Sequence, residues 1–169
     1  DKLSDMPSIK INNDSNFTVS KDDSFTIGTV KLSITDPYGI RTMEGRENEH
    51  STGIDYVTSN KKAIAITDME IIDVKLQGDG NVIKPEKGNG AAGYYIVAKN
   101  SDGTYSQYMH LDPMTSDEMS ELKGKKFKRG DSIWGYGIGS GSMTGPHVKY
   151  RVADGIPSSS NNFDPSKYI

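Results

Sequence analysis

Apolar residues recur along this chain in short runs of period two, not at the three-to-four spacing of a helix. Phe25, Ile27, Val30, Leu32 and Ile34 fit a strand with one irregularity, and Asp36-Pro37-Tyr38-Gly39 behind them spells a turn. Residues 63–76 carry Ile64, Ile66, Met69, Ile71, Ile72, Val74 and Leu76, mostly at alternate positions, and predict a further strand. Residues 94–99 (YYIVAK) and 105–111 (YSQYMHL) flank Asn100-Ser101-Asp102-Gly103, which predicts a hairpin. Residues 132–138 and 147–152 predict two more strands, separated by the glycine-rich stretch 139–145. One short helix is expected over 115–122 (TSDEMSEL), where a Thr or Ser cap precedes acidic residues suited to the positive end of the helix dipole. Many short strands, turns between them and one small helix predict an all-β or β-rich sandwich. Residues 1–22, rich in Asn, Asp, Ser and Lys, read as a polar lead-in, and residues 23–169 as the domain.

Composition narrows the chemistry. With 169 residues, a single domain with a real core is expected. The 20 Lys and Arg against 23 Asp and Glu leave a net charge of -3, so nothing draws the whole chain to nucleic acid. The basic run over 123–129 (KGKKFKR) has one aromatic residue and reads as a solvated hairpin loop. Glu118 and Glu121 read as a solvated helix face. Gly137-Ile138-Gly139-Ser140-Gly141 lacks the lysine and the strand-turn-helix setting of a phosphate loop. The absence of cysteine excludes thiol catalysis, disulfides and cysteine-based zinc sites. No apolar stretch approaches the roughly 20 residues of a spanning helix. The chain opens at Asp1 without an initiator Met or a signal peptide, which suggests a processed piece of something longer.

Only three histidines occur, His50, His110 and His147, and the ordinary reading of any one is a hydrogen-bonded structural residue. Their settings favour more. His50 precedes Gly53-Ile54-Asp55, His110 ends a strand-like run, and His147 follows Gly145-Pro146. Histidines and an Asp at strand edges are the raw material of an open hydrolytic zinc site. The ordered segments Tyr38-Gly39-Ile40-Arg41, His50-Ser51-Thr52-Gly53-Ile54-Asp55, Ala63-Ile64-Ala65, Tyr108-Met109-His110-Leu111, Lys128-Arg129-Gly130-Asp131, Gly145-Pro146-His147-Val148-Lys149-Tyr150-Arg151-Val152 and Asp164-Pro165 resemble the landmarks of the lysostaphin and LytM type of peptidoglycan zinc metalloendopeptidase.

The resemblance covers residues 24–169 and implies a β-rich fold in which antiparallel sheets form an open groove. In that family a His-x-Gly-x-Asp segment and the second His of a His-x-His strand hold zinc, while two further histidines assist attack by zinc-bound water. By that resemblance Asp55 matches a ligand, and His110 and His147 match the two catalytic histidines. Two positions depart. Ser51 stands at the first ligand position, with His50 one residue early, and Lys149 stands at the third. An ammonium with an ordinary pKa of about 10.4 offers zinc no lone pair. Lys149 is therefore expected to replace the metal as a cation beside Asp55, with Tyr94, Tyr108 and Lys149 lining a peptide groove.

Two functions follow. The first is a peptidoglycan-directed pseudoenzyme of the cell wall or a phage tail, without zinc, that binds peptidoglycan peptides or a cell-envelope or virion protein. The alternative is an active zinc endopeptidase cleaving peptidoglycan cross-links, with His50, Asp55 and His147 as a rearranged ligand set. Either places the domain outside the cell, in the envelope or on a virion.

Overall fold

The structure is a computed structural model that describes residues 17–43, 46–84 and 91–169, with the side chains of 40–50 set aside. In chain order the first strands are β1 (Ser24–Ile27), β2 (Val30–Asp36), β3 (Gly39–Met43), β4 (Arg46–Ser51) and β5 (Ile54–Thr58). Next come β6 (Lys62–Ile64), β7 (Met69–Gln77), β8 (Val82–Ile83), β9 (Gly93–Asn100) and β10 (Tyr105–Leu111). Helix α1 (Ser116–Leu122) precedes β11 (Lys126–Phe127), β12 (Ser132–Gly135), β13 (Gly141–Ser142) and β14 (Val148–Ala153).

Eight of these strands form one antiparallel sheet in the order β1-β2-β5-β14-β10-β9-β7-β11. Three further sheets have two strands each, β12-β6, β13-β8 and β3-β4. Period two explains the core. Leu32 and Ile34 of β2, Ile54 and Tyr56 of β5, Tyr108 of β10, and Val148, Tyr150 and Val152 of β14 all point to one face and are fully buried. The expected hairpin of residues 94–111 is present as β9 and β10, paired Lys99 to Tyr105. Helix α1 starts where its cap predicts: the Thr115 side chain accepts from Glu118 N at 3.1 Å, and Glu118 Oε1 accepts from Thr115 N at 2.9 Å. Glu118 therefore serves as half of a capping box.

Four expectations are corrected. The single strand expected over 24–34 is a tight hairpin of β1 and β2, turned at Gly28 with φ +65°. The strand expected over 63–76 is broken between β6 and β7, where Asp68 accepts Arg129 N at 2.9 Å and Thr67 Oγ1 donates to Asn100 Oδ1 at 2.6 Å. The strand expected over 132–138 stops at Gly135, because Asp112 Oδ1 captures the backbone N–H groups of Ile138 and Gly139 at 2.8 and 2.7 Å. The basic run is not wholly a solvated loop: Lys126 and Phe127 form β11 on the edge of the main sheet, and Arg129 turns inward. Val19, inside the stretch read as a lead-in, is buried, and its N–H donates to Ser166 Oγ at 3.0 Å. Residues 1–16 lie outside the described residues.

Candidate functional site

Strands β5, β14 and β10 turn their alternate residues away from the core. Asp55, Lys149, Arg151 and Gln107 therefore share the opposite face, with Asp55 facing Lys149 and Gln107 facing Arg151 in register. Gly53 lets the chain enter β5 this closely. A Cβ there would lie 2.3 Å from the Tyr150 carbonyl oxygen, so only glycine fits between Ser51 and Asp55.

His110 reaches the same face by a different device. Strict alternation would turn it into the core beside Tyr108, but β10 carries one extra residue between Tyr108 and Leu111 relative to β9. His110 occupies the left-handed region there, at φ +66°, with its N–H bonded to Ala92 O at 2.9 Å. The bulge re-aims the imidazole, as bulges beside active sites do. Its ring centroid lies 5.2 Å from that of His147.

Hydrogen bonding fixes both rings. His110 Nδ1 lies 2.9 Å from Ser140 O, and a carbonyl only accepts, so Nδ1 carries the proton. Burial and then the nearby His147 push the His110 imidazole down to about 4, the Ser140 bond pulls the other way, and Lys149 and Arg151 add smaller downward pushes. At neutral pH His110 is thus an uncharged ring whose Nε2 keeps its lone pair. His147 Nδ1 likewise donates to Gly145 O at 2.8 Å, leaving Nε2 3.5 Å from Asp55 Oδ2. The other Asp55 oxygen, Oδ1, is buried and has no hydrogen-bond partner among the described residues. Arg151 is held by Gln107 Oε1 at 2.9 Å and by Thr52 Oγ1 at 2.8 and 3.2 Å, and its burial lowers the guanidinium pKa.

The structure thus brings together Asp55, His110, His147 and Lys149 from the residues that the sequence singles out. Asp55 and the expected partner Lys149 are register partners on paired strands, and His147 Nε2 also lies against the Asp55 carboxylate. Tyr108 is corrected. It is fully buried, accepts a hydrogen bond from Ile66 N at 2.9 Å and packs against Tyr150 at 4.9 Å, so it belongs to the core and not to a groove. Tyr94 is partly buried against the core, and its backbone N–H donates to Ser140 Oγ at 2.8 Å. The side chain of His50, on β4, lies outside the described residues. Arg151, Gln107 and Ser140 were not singled out; Arg151 follows Lys149 by two positions, so strand period alone places it on the same face.

Whether these residues suit a zinc ion is a question of donors. Asp55 Oδ1 is a buried oxygen in want of a cation. Against it, Lys149 brings a positive charge in place of a lone pair, and the buried Ser51, whose proton goes to Gly53 O at 2.9 Å, offers a neutral hydroxyl where zinc takes imidazole or carboxylate. Among the described residues no group of three His, Asp or Glu side chains is placed to hold a metal. The described donors therefore do not complete a three-ligand zinc site.

The fold and the ordered site define a peptidase scaffold, and sequence comparison places it. The chain belongs to Peptidase family M23, whose profile matches residues 49–165. Among solved structures it is similar to the catalytic domain of the prophage-encoded M23 protein EnpA from Enterococcus faecalis, at 22% identity and a TM-score of 0.57, covering 81% of this chain and 91% of that one. It is also similar to the catalytic domain of lysostaphin from Staphylococcus simulans, at 23% identity and a TM-score of 0.52, covering 76% and 84%. A chain of the SpoIIIAH–SpoIIQ complex matches at 14% identity and a TM-score of 0.52, covering 96% and 99%. These likenesses fix the fold as the lysostaphin type.

Proposed function

We propose that this M23 domain is directed to peptidoglycan at the cell envelope or on a virion, and acts there by binding or assembly after losing catalytic zinc. The observation that carries this reading is the pair of substituted ligand positions, Ser51 with its hydroxyl donated to Gly53 O, and Lys149 as the register partner of Asp55 on the neighbouring strand. A neutral His110 and the His147–Asp55 contact remain, so the scaffold of the hydrolytic site is kept while the donors that would hold its metal are replaced. A peptide laid over β5, β14 and β10 would meet the positive charges of Lys149 and Arg151, which suits an anionic peptide. The SpoIIIAH–SpoIIQ assembly supports a protein partner as the occupant.

One observation favours the alternative of an active zinc endopeptidase: the orphaned Asp55 Oδ1 is an oxygen that a cation would satisfy. Metal analysis separates the two. Protein purified without chelator is expected to carry well under one zinc per chain and to leave peptidoglycan intact. Lys149→His, which puts an imidazole two residues beyond His147 on the same face, is expected to tighten zinc binding roughly 10- to 100-fold by calorimetry. Stoichiometric zinc in the wild type, lost with Asp55→Ala, would establish the peptidase instead.

A further inference from the structure

Outside the groove the described residues form an open pocket of about 540 Å³, lined by Lys62, Asp112, Pro113 and residues 132–135. This lies within the roughly 300–1,000 Å³ range of small-ligand sites. Its aromatic wall is fixed in place. Trp134, the chain's single tryptophan, donates its indole N–H to Asp112 O at 3.0 Å, and Asp112 N donates to Gly135 O at 2.9 Å. Polar groups stand around that ring. Asp112 Oδ1 is used by Ile138 N and Gly139 N, whereas Oδ2 has no hydrogen bond among the described residues. Gly135 makes room for this oxygen, since a Cβ there would lie 2.5 Å from it. Ser132 Oγ accepts from Asn60 at 3.2 Å and so keeps its own proton to donate. Lys62 is exposed and forms no ion pair among the described residues.

We propose that this pocket binds a neutral pyranose. One carboxylate and one ammonium cancel, so a ligand with a strong net charge gains from one and loses to the other. A polyhydroxylated ring, in contrast, lays its apolar C–H face on the indole and offers hydroxyls to Asp112 Oδ2, Ser132 and Lys62. The pocket adjoins the groove through Asp112, which holds the loop whose Ser140 carbonyl orients His110. That the pyranose is an N-acetylated sugar of a glycan strand rests on the peptidoglycan reading above.

Because Trp134 is the only tryptophan, its fluorescence reports this pocket alone. Titration with N,N′-diacetylchitobiose is expected to give a saturable change with a Kd on the order of millimolar. Lys62→Ala, an exposed change that keeps the fluorophore, should weaken binding roughly two- to tenfold. Trp134→Ala, checked for folding by circular dichroism, should abolish the ligand-observed NMR signal. No fluorescence response at tens of millimolar sugar, an unaltered Kd in Lys62→Ala, or a response to a sugar-free stem tripeptide alone would overturn the proposal. The groove is read separately from the imidazole signals of His110 and His147 on adding that tripeptide. If they shift while Trp134 stays silent to sugar, the pocket assignment fails and the groove reading stands; the reverse pattern spares the pocket and removes the groove reading.

Discussion

At the scale of single residues, His110 contributes to the acid sensitivity of the domain. Its ring is neutral in the folded chain down to about 4, whereas in the unfolded chain it takes a proton near its ordinary value of about 6.5. Above the higher value neither state is charged at this ring, and stability is untouched by it. As pH falls from there toward 4 the unfolded chain binds the proton first, so folding loses up to about 3 kcal/mol, and the loss is complete below the folded value. Urea unfolding between pH 7 and 4 should show this loss in the wild type and a markedly shallower one in His110→Gln. Parallel pH curves for the two proteins would mean that His110 titrates normally. The position of His110 was legible from the Tyr108-Met109-His110-Leu111 segment, but its orientation was not. Strict period two would put it on the same side as Tyr108, and the bulge that reverses it depends on pairing with β9 and on Ala92, which no local pattern announces.

At the scale of elements, what local chemistry determines was readable and what distant contacts determine was not. The 100–103 turn and the Thr115 cap depend on residues within a few positions of each other, and both stand where their sequences put them. Tyr108 shows the limit: alternation divides β10 into two faces without saying which is the core, and its tyrosine hydroxyl is satisfied by Ile66, 42 residues away. Gly53 is a case where the motif and the packing agree. The glycine within Ser51-Thr52-Gly53-Ile54-Asp55 lies against the backbone of Tyr150, and a carbonyl oxygen fixed in a paired strand cannot give way to a Cβ at 2.3 Å. Gly53→Ala is expected to cost about 1–3 kcal/mol by chemical denaturation and to displace Asp55. Gly137→Ala, where a Cβ meets nothing within 4 Å, serves as the neutral control and should stay within about 0.5 kcal/mol. Equal stability of the two variants would show that the β5–β14 contact is looser than this geometry.

At the scale of the whole molecule, a residue from the basic run closes the fold. Arg129 Nη1 donates to Ile66 O at 2.6 Å and to Tyr168 O, and Nη2 donates to Ile169 O at 2.9 Å. Its backbone N–H meets Asp68 Oδ1 at 2.9 Å. One guanidinium thus ties the β6–β7 break to the last residue of the short 3₁₀ turn Pro165–Tyr168 and to Ile169 behind it. Composition pointed the other way, because six of seven residues in that run are polar or glycine and its neighbours Lys123, Lys125 and Lys128 are exposed. What distinguishes Arg129 is a set of carbonyls 39 to 63 positions distant, which only the finished fold assembles. Burial there lowers its pKa, yet the group stays charged at any working pH, so its bonds persist across the range in which His110 titrates. A lysine keeps the charge but has no planar fork to reach three carbonyls from two nitrogens. Arg129→Lys is therefore expected to lose about 2–3 kcal/mol in urea at pH 7, while Lys128→Ala beside it changes stability by less than about 0.5 kcal/mol. The loss should appear in one cooperative transition, because the clamp joins the β6–β7 break in the middle of the chain to its last two residues. Wild-type stability in Arg129→Lys would show that charge alone suffices, and that the three-carbonyl geometry contributes nothing to closing the fold.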